Sequence, residues 1–247
     1  MRFGLLLCGT MLLLGLPRSA AADDTTTTIA DKAIQAMGGA KLTQAHAASW
    51  KAKGTATING EEVQFQAHWT IQGDDRTHID AKAEANGSTI KVLLILNGKN
   101  GWASLAGIQE DMDKDRLDEE HERAYVEWLT TFLPLHDPQL KLSMLAPSKV
   151  DERPAVGLKV QRQGRRPVEL YFDKDKGLLL KAHSHIKDLL TGTEAEQDIY
   201  FQQYKDQGGV PHASKVVFKR DGKPYLDMTV TDFALEKHVP AKLFQKP

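Results

Sequence analysis

Apolar and polar residues alternate along most of this chain, and in two stretches the alternation gives way to a longer period. Across residues 62–72, Val63, Phe65, Ala67, Trp69 and Ile71 fall on one side, with Glu62, Gln64, Gln66, His68, Thr70 and Gln72 on the other. A period of two is that of a half-buried strand. Trp50, Ala52, Gly54, Ala56 and Ile58 repeat the pattern, and Asn59-Gly60 joins the two runs as a hairpin turn. Gly73-Asp74-Asp75, Asn86-Gly87, Asn97-Gly98 and Asn100-Gly101 bound further strands near 76–85, 88–96 and 101–106. The second half behaves alike. Val156, Leu158 and Val160, then Val168, Leu170 and Phe172, then Leu178, Leu180, Ala182 and Ile186 form successive apolar sides. Strands near 195–205, 213–220 and 225–233 follow, with a turn at Asp221-Gly222. Strands this numerous, joined by turns this short, predict an antiparallel meander and argue against a parallel sheet.

The two exceptions are helical. Ile29, Ala33, Ala36 and Met37 recur at helical spacing and stop at Gly38-Gly39, predicting one amphipathic helix over residues 27–37. Leu117, Ala124, Tyr125, Trp128, Leu129, Phe132 and Leu133 recur at three, four and seven, while Asp118, Glu119, Glu122, Arg123 and Glu127 take the opposite side. Pro134 stops that second helix. A long sheet with one apolar face must close, stack or be covered, and its twist favours curling. Two helices are too few to shield both faces. The expected architecture is mainly β: a strongly curved antiparallel sheet or incomplete barrel, with the helices plugging its concave side.

Before the first helix the chain opens with Arg2, an apolar run from Phe3 to Leu16, Pro17 and the small residues Ala20-Ala21-Ala22. This is the pattern of a secretory signal over residues 1–22, cleaved after Ala22, with 23–28 as an unstructured polar leader. The sole cysteine, Cys8, lies inside that signal and too early for an acylation site, so the mature chain is expected to carry no thiol and no disulfide. Losing residues 1–22 removes Arg2 and Arg18 and no acid, leaving 30 basic and 33 acidic residues, a net charge of −3. Nothing in that balance suggests a nucleic-acid partner.

Candidate chemistry is sparse. Asp111, Asp113, Asp115 and Glu122 fall at calcium-loop spacing, but Arg116 stands where the loop needs Gly, so the segment reads as a solvated acidic helix start. His183 and His185 share a strand face with Lys181 and Lys187, a solvent-facing row rather than metal ligands. Arg162, Arg165 and Arg166 surround a hairpin tip at Gln163-Gly164, either solvated or meeting an anionic headgroup or partner. There is no phosphate loop, dinucleotide fingerprint or nucleophile elbow, and neither an enzymatic activity, a metal nor a cofactor is expected.

The aromatic set is more informative. Trp50 and Trp69 lie on adjacent strands, and Trp128 and Phe132 on the second helix. They form either ordinary core or the wall of a cavity for an apolar ligand. The order of elements, the turn "YFDKDKGLLLKAHSHI" and the Phe-x-x-Pro ending of "HVPAKLFQKP" resemble the periplasmic lipoprotein-carrier superfamily (LolA/LolB-like) over residues 27–247. The resemblance implies one half-barrel domain over 29–247, of about eleven strands, with helices lidding a hydrophobic cavity. It further implies a monomeric soluble carrier for the acyl chain of a lipid or lipoprotein, with envelope proteins as donor and acceptor and transient contact with a membrane. A sensor or protein-interaction module on the same fold is the alternative. The residues expected at cavity and lid are Trp50, Phe65, Trp69, Leu94, Leu117, Tyr125, Trp128, Leu129, Phe132, Leu133, Leu170 and Phe172.

Overall fold

The structure, a computed structural model, describes residues 20–85, 87–188 and 192–247. The alternating segments become fourteen antiparallel strands in one continuous open sheet, against the eleven or so that the resemblance implies. In chain order these are β1 (Ala47–Ile58), β2 (Glu61–Ile71), β3 (Arg76–Ala85), β4 (Ser88–Asn97), β5 (Asn100–Leu105), β6 (Ile108–Asp111) and β7 (Lys141–Met144). They continue with β8 (Ser148–Val150), β9 (Arg153–Gln161), β10 (Val168–Asp173), β11 (Leu179–Lys187), β12 (Glu194–Asp206), β13 (Pro211–Arg220) and β14 (Lys223–Glu236). Helices α1 (Ala20–Ala36), α2 (Ala40–Thr43) and α3 (Lys114–Thr130) complete the fold with a final 3-10 turn, Ala241–Phe244.

The spatial order is β6-β5-β4-β3-β2-β1-β14-β13-β12-β11-β10-β9-β7, with β8 paired to β9 alone. The first and last long strands therefore meet in the middle, and the two halves of the chain form two wings about the β1–β14 pair. That pair approaches closely. A Cβ on Gly54 would lie 1.9 Å from the carbonyl oxygen of Asp227, so no larger side chain fits there without moving the backbone. Asn59 and Gly60 take positive φ, 53° and 83°, as the β1–β2 hairpin requires.

Both helices cover the concave side. Helix α1 begins at Ala20, earlier than its apolar spacing predicts, and takes in the polar stretch 23–28, expected as a leader without structure. The expected signal, Cys8 included, lies outside the described residues except for its last three. Ala30, Ala33 and Ile34 of α1, with Met37 just beyond it, are buried in the core. Helix α3 starts as its sequence suggests: the Asp113 carboxylate accepts the Arg116 N–H at 2.9 Å and caps the first turn. It then spans the concavity, touching β4 of one wing and β11 of the other.

Two smaller clusters sit on the outer face. The terminal turn, with the Phe-x-x-Pro ending, packs Phe244 against Ile95, Ala47 and Val239. Leu180 joins Val150 and Ala155 there, although simple alternation groups it with Ala182. The pairing of β10 with β11 shifts register between Tyr171 and Phe172, which turns Leu180 to the other side. Lys181 and His183 are on the outer face as expected, both holding Asp198 at 2.8 Å.

Candidate functional site: a half-filled concavity under helix α3

One side of α3 is dry. Tyr125, Leu129 and Phe132 are fully buried among Leu158, Val160, Val168, Leu170 and Phe172 of β9 and β10, with the rings of Phe132 and Phe172 5.8 Å apart. Burial pushes the Tyr125 hydroxyl up to about 12. The other side of α3 faces an unfilled space of about 310 Å³, within the size range of small-ligand pockets.

The floor of that cavity is an aromatic row crossing four neighbouring strands. Trp69 of β2 stacks on Trp50 of β1 at 6.1 Å, Trp50 on Phe233 of β14 at 6.4 Å, and Phe233 on His212 of β13 at 5.5 Å. Their planes tilt by 8°, 24° and 9°, a run of offset stacks. Ile79, Leu94 and Leu96 extend the apolar wall on β3 and β4, and Ile199, Val216, Phe218, Leu226, Met228 and Val230 on β12 to β14. The alternation of these strands supplies this wall directly, since every second residue must face inward.

The roof is charged, contrary to the reading of α3 as apolar inside and solvated outside. Glu120, Arg123 and Glu127, at spacings of three and four on one helical face, border the cavity with Thr130 and Thr131. Burial pushes Glu127 up to about 7, with the Glu120 charge adding to the rise and Arg123 opposing it. Glu127 is enclosed yet keeps some surface, because that surface is cavity wall. Burial raises Glu120 as well, and lowers His212 and Arg220.

The acidic start of α3 is not solvated either. Glu119, 2% exposed, accepts the Lys187 backbone N–H and an Arg166 Nη1–H, both at 2.8 Å. Glu122 accepts the Arg166 backbone N–H at 2.9 Å and meets Arg165 at 3.5 Å. Arg165 and Arg162 also hold Asp74, in the β2–β3 turn, at 3.0 Å each. The hairpin tip expected in solvent is therefore clamped onto α3, and through Asp74 it links the two wings above the concavity.

Of the twelve residues expected at cavity and lid, Trp50, Trp69 and Leu94 border the cavity. Phe65 sits edge-on to Trp69 at 6.3 Å, one ring removed from it. Tyr125, Leu129, Phe132, Leu170 and Phe172 are in the filled part of the core, and Leu133 packs against it. Leu117 lies beside Gly101 of β5, and Trp128 is half-buried on α3 away from both core and cavity. The wall residues Phe233, His212, Arg220, Gln197 and Tyr225 carried no sequence signal beyond their place in a strand. Among the described residues no group of three or more His, Cys, Asp or Glu could hold a metal ion. No helix among them is long and apolar enough to cross a membrane.

No protein-family model matches the sequence, and no curated protein matches it. Solved structures do share its shape. A LolA superfamily protein from Nitrosomonas europaea superposes with a TM-score of 0.58 at 11% identity, over 90% of this chain and 97% of that one. A DUF1329 family protein from Desulfovibrio piger gives 0.56 at 12%, over 89% and 97%. A putative outer membrane lipoprotein-sorting protein domain from Vibrio parahaemolyticus gives 0.55 at 11%, over 90% and 96%. The LolA-like fold suggested by the order of elements is thus the fold of the chain. At these identities the likeness is one of fold.

Proposed function

We propose that this LolA-like chain is an exported carrier that shelters the acyl chain of a lipid or lipoprotein between α3 and the aromatic row. The observation that carries this is the cavity itself. A sheet wall rich in aromatic and aliphatic side chains faces a space of about 310 Å³ that the protein's own helix leaves empty. Apolar surface left without a partner is where an apolar ligand gains most. Each methylene withdrawn from water contributes about 0.8 kcal/mol, so sheltering ten gives on the order of 8 kcal/mol before the costs of association. That is enough for carriage and weak enough for release. The arginine clamp on Glu119 and Glu122 is what must yield for α3 to lift. Under this reading the protein works as a monomer in the periplasm, after loss of residues 1–22, with envelope proteins delivering and receiving the chain.

Native mass spectrometry of gently purified protein, followed by titration with a fluorescent fatty acid, tests the proposal. Bound acyl species, or saturable uptake of the probe, is the expected result. A protein always free of lipid and unable to take up the probe overturns it.

A further inference from the structure

The cavity has two chemically different ends. Strand β13 runs along it, with His212 near the start and Arg220 at the finish, both on the wall and ~26 Å apart along the strand. Toward Arg220 lie Glu120, Arg123 and Glu127 from α3, Gln197 from β12 and Tyr225 from β14, all bordering the same space. Toward His212 the wall is the stacked aromatic row.

The charged end is incompletely paired. The side-chain carboxylates of Glu120, 7% exposed, and of Glu127 have no hydrogen bond or ion pair with any described residue. Two arginines stand with them, each held by one arm. Arg220 grips Asp188 at 2.6 Å and lies over the Tyr225 ring at 3.3 Å, and Arg123 reaches the Lys187 carbonyl at 3.5 Å. The Nε–H of Arg123 and that of Arg220 are buried and without an acceptor. Buried carboxylates and guanidinium donors left unpaired are costly, and proteins rarely keep them without a partner to come. Burial pushes both carboxyls up, and the nearby Arg123 charge only partly opposes it.

We infer that this end receives the headgroup of an amphiphile that bears a primary ammonium beside a phosphate. The ammonium donates to Glu120 and Glu127, and the phosphate pairs with the guanidinium groups of Arg123 and Arg220 that border the cavity. The acyl portion then lies along the sheet toward Trp50 and His212. A head with phosphate but no amine would bring its charge against two carboxylates. A trimethylated amine carries the charge but has no N–H to donate. This inference rests on the carrier reading, whose tail site it completes with a head.

The test offers the full protein vesicles of equal parts ethanolamine, choline and glycerol phospholipids with identical acyl chains. The protein is re-isolated and its lipid identified by mass spectrometry. Enrichment of the ethanolamine lipid by about tenfold over the glycerol lipid is expected, the factor that one added charge-assisted hydrogen bond supplies. In Glu127→Gln and Glu120→Gln the enrichment should fall at least several-fold, while Glu127→Asp should keep it. Uptake without preference, or preference for the glycerol lipid, overturns the headgroup assignment and leaves the carrier reading standing. Failure to take up any lipid removes both.

Discussion

Two stretches of this sheet carry the same alternating pattern, yet the one at β9 and β10 is filled and the central one, across β2, β1, β14 and β13, is not. In β9 and β10, Leu158, Val160, Val168, Leu170 and Phe172 are fully buried beneath Tyr125 and Leu129 of α3, Phe132 just beyond its end and the apolar side of α1. In β1, β2, β13 and β14, Trp50, Trp69, Phe218 and Leu226 face the same concavity but remain partly accessible. The difference lies in what covers them. A helix is about 10 Å across and can fill only part of a long curved sheet. Here α3 puts its aliphatic and aromatic side chains over β9 and β10 and its charged ones over the central strands.

The contrast can be broken most severely by cutting into each stretch in turn. Phe172→Ala should leave a new hole in a dry core and cost about 3–5 kcal/mol in urea unfolding. Phe218→Ala, which only enlarges an existing space, should cost about 1 kcal/mol. Equal losses would mean that the central strands are as tightly packed as β9 and β10.

Glu127 marks the charged roof. Its carboxyl titrates near 7 in the folded protein and near 4.5 unfolded. Between those values the folded state holds a proton that the unfolded chain has released, so stability falls as pH rises from about 4.5 to about 7. The penalty, shared with Glu120 and relieved in part by Arg123, reaches up to about 3 kcal/mol above pH 7. Glu127→Gln should therefore stabilise the protein at pH 8 and change little at pH 4.5. Thermal unfolding across that range checks the sign, and a variant less stable at pH 8 would show that Glu127 has a charged partner.

The clamp between the wings gives a smaller effect. Arg166→Ala strips Glu119 of its guanidinium, leaving the Lys187 N–H alone to satisfy a buried carboxylate, and should cost about 1.5–3 kcal/mol. It should also speed exchange of a bound fluorescent fatty acid in stopped flow. Smallest of all is the exposed β5–β6 tip. Ile108, 76% exposed, lies outside both the filled stretch and the cavity, and Ile108→Ser should shift stability by less than about 0.5 kcal/mol and leave ligand uptake unaltered.

The strands were legible because burial on one face writes itself into every second residue, as in Val63 to Ile71. The short strands β6, β7 and β8 were not, since three or four residues, mostly exposed, carry no period. Trp50 and Trp69 could be placed on an inward face from alternation alone, whereas Leu94 sits in the unbroken apolar run 92–96. Glu120 and Glu127 could not, because a charge on a helix reads as solvent-facing until tertiary structure encloses it. Arg166 left two readings open, solvated or paired, because its partners, Glu119 and Glu122, are more than forty positions earlier in the chain. Arg220 and His212 look like ordinary strand residues, and only the pairing of β13 with β12 and β14 brings them to the cavity wall.

The most direct measurement uses the protein's four tryptophans. Trp50 and Trp69 border the cavity, whereas Trp102 packs near Phe244 on the outer face and Trp128 lies away from the space. A fatty acid brominated along its chain should quench the fluorescence of the wild type on binding, and should bind the Trp50→Phe/Trp69→Phe variant with almost no quenching. If the bound chain quenches the double variant as strongly as the wild type, it lies elsewhere, and the concavity under α3 is not the site that shelters it.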